Sequence, residues 1–188
     1  MEWRHLSLTI VTITLIALPS WAKGDHCVQT SWNQVLIQQD QLDDWYNKHA
    51  SSFNNLLYFH RKKIFLHQQF SETELKQIWL AEGTSMQAKL EQQIYNSTMV
   101  VSQLMEEESD LKAQRPEVEE MQDIWKSIST HCRQKEQMSN AIASAEYAIS
   151  NQELEKELNL LIRKISYLRS LYQQEVEMLE EIKESETN

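Results

Sequence analysis

Glycine and proline are nearly missing: the 188-residue chain holds two of each. Average glycine usage is about 7%. Hairpin turns need positive φ, which glycine adopts at least cost, so a sheet protein of this size is excluded. A glycine-rich loop, whose bare backbone lets N–H groups reach a phosphate, is excluded with it. Cysteine is also scarce, at two residues. No CxxC or HxxxH spacing is present to orient a metal, and GxSxG, HExxH and EF-hand patterns are missing. No catalytic constellation is found, and no cofactor or metal is expected. Basic charge is in deficit, with 18 Lys/Arg against 28 Asp/Glu and a formal net charge of −10. Such a chain repels nucleic acid, so none is expected as a partner.

What is present is helix-forming. Leu, Ile, Glu, Gln, Lys, Met and Ala dominate, and each is a favourable or tolerated helix residue. The expected fold is all-α: an elongated helical bundle, or antiparallel coiled coil, of four to five helices.

The first 22 residues read as a cleavable signal peptide. Arg4 and His5 form a weakly basic start, Leu6 to Leu18 an apolar stretch, and Ser20-Trp21-Ala22 a cleavage site. Thirteen helical residues span about 20 Å, short of the ~30 Å hydrocarbon core. The expected location is the periplasm, with an uncleaved inner-membrane anchor or secretion as alternatives. Cys27 and Cys132, an even pair in an oxidising compartment, are expected to form one disulfide.

Residues 23–188 are read as one helical-bundle domain with helices at about 28–70, 72–82, 85–114, 117–149 and 151–184. Val28, Trp32, Val35, Leu42, Trp45, Phe53 and Leu56 give the first its apolar stripe, interrupted by Gln39 and His49. Ser71-Glu72-Thr73-Glu74 is a capping box that starts the second, and Gly83 sits where a left-handed helix end falls. Pro116, followed by three glutamates within four residues, is read as a helix start. Val118, Met121, Trp125, Ile128 and Cys132 mark the next seam, which Ile142, Ala145 and Ile149 extend. A phase slip then falls near Ser150, where another capping box stands.

Leu154, Leu158, Leu161, Ile165, Leu168, Tyr172, Leu179 and Ile182 make the cleanest signal, with alternating steps of four and three that only Glu175 breaks. Four heptads argue for a coiled coil, which can serve as a bundle core or bind a partner or second copy.

Two surface features stand apart. Glu106-Glu107-Glu108 and Asp110 form an acidic run, the usual mark of a solvated face. Tyr58 to His67 gathers basic residues among aromatics, and His60, Arg61, Lys62, Lys63 and His67 are the candidate contact for an anionic surface or acidic partner. On one continuous helix, His60, Lys63 and His67 would share a face. The functional expectation is an exported, non-enzymatic coiled-coil interaction protein, acting through a protein partner, self-association or peripheral membrane contact. The alternative is a helical-bundle sensor or ligand-binding protein whose pocket is lined by Trp32, Trp45, Trp79 and Trp125.

Overall fold

The computed structural model describes residues 27–81 and 84–187. The expected signal peptide and both glycines lie outside these residues. Five helices and no strand occur among the described residues: α1 (Gln29–His60), α2 (Leu66–Gln69), α3 (Glu72–Leu80), α4 (Thr84–Gln134) and α5 (Met138–Thr187).

α4 and α5, of 51 and 50 residues, form one antiparallel hairpin about 75 Å long. Their backbones run close together throughout. α1 stands further off and packs through large side chains, since Trp32, Trp45, Tyr46 and Phe53 fill the space between it and the hairpin. It runs antiparallel to α4, with Cys27 beside Cys132 and His49 beside Glu107. α2 and α3 continue along the same side. The result is a three-helix bundle whose third strut is broken into three pieces.

The expected disulfide is present: Cys27 and Cys132 are bonded and buried, with Cα atoms 5.5 Å apart. It ties the start of α1 to the tip of the hairpin. Both sulfurs are thereby consumed and neither is free as a thiolate ligand. The capping box at Ser71 is formed on both sides. Glu74 N–H donates to Ser71 Oγ at 3.3 Å, and Ser71 N–H donates to Glu74 Oε2 at 2.8 Å.

The helix boundaries differ from the expected ones at three places. Residues 28–70 do not make one helix, because α1 ends at His60. Pro116 does not start a helix but lies inside α4. A proline there leaves the Lys112 carbonyl without its intrahelical donor. The helix continues because Leu111, Val118, Met121 and Trp125 are all buried in the bundle core on either side. Arg115 also braces the site, its Nε 3.0 Å from Glu119 and its Nη2 3.8 Å from Glu155 on α5.

Replacing Pro116 by alanine restores the missing bond. An interior proline costs roughly 3 kcal/mol, and the loss of its rigidity in the unfolded chain offsets up to about 1. Thermal unfolding of Pro116→Ala is therefore expected to show a gain of about 2 kcal/mol, or roughly 4–8 °C. A lower melting temperature would mean that the proline holds a break in α4.

The third difference concerns the break near Ser150. The turn of the hairpin is Lys135–Gln137 instead, and Ser150 sits within α5. Gln137 N–H donates to Cys132 O at 2.9 Å and Glu136 N–H to Arg133 O at 3.1 Å, with Glu136 at φ 61°. This is a Schellman motif with glutamate in the left-handed position that glycine usually takes. The missing glycine hid the turn from the sequence pattern.

The apparent phase slip has a packing explanation. Among the buried residues of α5, Ser144, Asn151, Leu158, Ile165, Tyr172 and Leu179 repeat every seven residues, while the companion position moves by one residue, from Ala141 and Ala148 to Leu161, Leu168, Glu175 and Ile182. The first of these positions are small or polar, so the bulkier neighbours Ile142 and Ile149 mimic a seam one residue away. Both are in fact exposed, at 57% and 60%. The seam from Leu158 to Ile182 is buried against α4 and the α1–α3 strut, with Leu154 half-buried at its edge. It is the core of this chain.

Candidate functional site

The elbow between α1 and α3 holds the basic and aromatic residues singled out in the sequence. Its turn is built from backbone bonds: Arg61 N–H to Leu57 O at 3.0 Å, Lys62 N–H to Phe59 O at 3.1 Å and Lys63 N–H to His60 O at 2.8 Å. Phe65 is then extended, and the short α2 begins.

The group that starts α2 comes from α5. Glu175, fully buried, accepts the N–H groups of Leu66 and His67, each at 2.9 Å, through its two oxygens. Gln93 Nε2 of α4 donates to the same carboxylate at 2.8 Å, and His67 Nδ1 lies 2.7 Å from it. Burial pushes the carboxyl up, but the bonds from His67, Leu66 and Gln93 together outweigh it and hold Glu175 below the usual carboxylate range. The one residue that breaks the heptad seam is thus a helix cap delivered from another helix.

This capping divides the candidate contact residues into two sets. His67 turns inward to Glu175. His60 is half-buried, its ring 5.4 Å from Phe65 and 5.7 Å from Tyr172, and burial lowers its pKa. The shared face expected for His60, Lys63 and His67 does not form, since the helix ends at His60. Arg61 and Lys62 remain exposed and Lys63 half-exposed. Lys62 Nζ donates to Tyr58 Oη at 3.0 Å and lies 4.3 Å above the Tyr58 ring. Around them Phe59 and Ile64 are 68% and 66% exposed, and Tyr58 and Phe70 are also open to solvent.

The four tryptophans do not line one chamber. Trp125 is fully buried between Trp32, 5.5 Å away edge-on, and Tyr147, stacked at 4.5 Å. Trp45 packs on His49, and Trp79 belongs to a separate cluster with Leu75, Leu90, Leu179 and Ile182. The space that a ligand would need beside Trp125 is filled by protein. Gln39, which interrupts the α1 stripe, is the hub here: its Oε1 accepts Trp125 Nε1–H at 2.8 Å and Asn151 Nδ2–H at 2.7 Å. These bonds join α1, α4 and α5 and set their mutual register.

The acidic run is not a uniformly solvated face. Glu107 lies 2.6 Å from His49 Nδ1, and Glu108 is buried between Lys112 at 2.6 Å and Arg169 at 3.4 Å. Glu106 and Asp110 are exposed. No group of three or more His, Cys, Asp or Glu residues placed to hold a metal occurs among the described residues.

A second surface was hidden by the phase slip. Met138, Ile142, Ala145 and Ile149 step four, three and four along the outer face of α5, where the three large side chains are exposed. Ala145, Ala148 and Ile149 form one wall of a groove of about 290 Å³ whose other wall is Gln122, Lys126, Ser129 and Thr130 of α4. The signal that could have found it is the excess of small residues at 141, 144 and 148, which marks the true core face. No helix among the described residues is long and apolar enough to cross a membrane. Comparison with protein-family models, curated proteins and solved structures gives no match.

Proposed function

We propose that the chain is an exported, non-enzymatic coiled-coil interaction protein: an adaptor, chaperone or accessory subunit of a cell-envelope assembly, working in the periplasm. The observation that carries this reading is the outer stripe of α5. Apolar residues at heptad spacing beside a shallow groove fit the apolar face of an amphipathic helix from a partner protein. The disulfide supports an oxidising compartment, because such bonds persist outside the reducing cytosol. The filled tryptophan cluster favours a binding surface over an internal ligand chamber.

Crosslinking followed by pull-down from intact cells tests the reading. The protein is expected to capture envelope proteins, and Ile142→Asp/Ile149→Asp is expected to lose them. Each isoleucine buried at an interface contributes roughly 1.5–3 kcal/mol, so the double variant should weaken capture about a hundredfold or more. Its melting temperature should stay unchanged, since both side chains are exposed. A monomeric protein that captures nothing, yet gains thermal stability with a small ligand, overturns the proposal.

A further inference from the structure

We propose that the elbow between α1 and α3 docks on an anionic lipid surface, Arg61, Lys62 and Lys63 meeting the headgroups and Phe59 and Ile64 entering the interface. The chain carries 28 carboxylates, yet the stretches 45–70, 92–105 and 158–174 contain none. These stretches meet at the elbow: Phe65 stands 4.9 Å from Tyr172, and Gln93 reaches the same Glu175 carboxylate that Leu66 and His67 bind. Acidic side chains stand to either side, Glu106, Glu107 and Asp110 beside Ser52 to Leu56 and Glu72 and Glu74 beyond Phe70, but residues 58–70 of the elbow itself carry three adjacent cations and no acid. The carboxylate that does approach, Glu175, is fully buried, and backbone and side-chain donors occupy both its oxygens. Among the described residues no carboxylate pairs with Arg61, Lys62 or Lys63.

The neighbours of the cations decide between occupants. An acidic protein would answer the charge and leave Tyr58, Phe59, Ile64 and Phe70 in water. A bilayer interface takes both, since headgroups attract cations and aromatic rings settle at headgroup depth. A tight turn at the end of a long helix can present both kinds of side chain to a plane. The inference is independent of the outer stripe of α5.

Co-sedimentation with vesicles tests it, using the full chain. Binding is expected to vesicles carrying about one-third phosphatidylglycerol, to fall with added salt, and to be weak on phosphatidylcholine alone. Arg61→Glu/Lys63→Glu should weaken binding about a hundredfold, and Phe59→Ser/Ile64→Ser about tenfold or more. Unchanged circular dichroism and melting temperature establish that both variants are folded. No binding to the anionic vesicles at low salt overturns the proposal. So does binding that the charge variant weakens but Phe59→Ser/Ile64→Ser leaves intact, which would mark a purely electrostatic contact that neither apolar side chain enters.

Discussion

Glu175→Leu is expected to destabilise the protein by about 3–5 kcal/mol, although it completes the heptad seam. Judged on the pattern alone, leucine at that core position should stabilise the coiled coil. In the folded protein, however, the carboxylate is the cap of α2 and the acceptor for Gln93 and His67. Removing it leaves two backbone N–H groups and a side-chain amide buried without partners, and each costs roughly 1–3 kcal/mol. The loss should be local first. Amide hydrogen exchange should rise most in 61–81, while the Trp125 region, held by Gln39 and the disulfide, keeps its protection. Denaturant unfolding measures the size of the effect. A variant as stable as the parent, with an unchanged elbow, would show that the carboxylate is not the cap.

The same site gives the protein an acid limit. Glu175 ionises at lower pH in the folded protein than in the unfolded chain. Its contribution is therefore fully present above the ordinary carboxylate range and is lost as pH falls through the lowered folded value. His60 acts in the same direction, because burial disfavours its charged form and protonation in acid favours the unfolded chain. Acid should accordingly loosen the elbow, while Glu175→Gln should flatten this part of the pH dependence.

Loss of the disulfide is the second large effect. Cys27 and Cys132 are separated by 105 residues. In the chain-entropy account a loop of that size contributes about 4–5 kcal/mol, and removing native bridges typically costs 2–5. Cys27→Ala/Cys132→Ala should fall in that range by denaturant unfolding. The position of the bridge also predicts where the loss is felt. It pins α1 at the hairpin tip, where α1 otherwise holds through Trp32 to Ser144 and Asn140 to the Cys27 carbonyl. Hydrogen exchange should therefore rise in the first turns of α1 before α4 or α5 responds. Non-reducing mass spectrometry of the purified protein checks the premise, since two free thiols would contradict it.

Several features were legible in the residues because their causes are local. A chain with two glycines and long 4-3 apolar spacing must be helical, and the Ser71–Glu74 box needs only four consecutive residues to form. The disulfide followed from an even cysteine count and an inward-facing Cys132. The seam from Leu158 to Ile182 was readable because its side chains are large and apolar at a fixed period.

The tertiary structure decided what depends on partners distant in sequence. Pro116 carries a start signal, but packing on α5 and α1 keeps α4 continuous through it. Glu136 takes a glycine's conformation because the hairpin closes there, and nothing in its own chemistry announces that. Ala141, Ser144 and Ala148 form the core face only because α4 lies close against them, which turns Ile142 and Ile149 outward. Glu175 looks like a defect in a seam until the chain returns 109 residues away, at Leu66, to be capped by it. Helical period is a property of neighbouring residues and survives in one dimension. Which face is buried, and which polar group is satisfied, is settled only when separate helices meet.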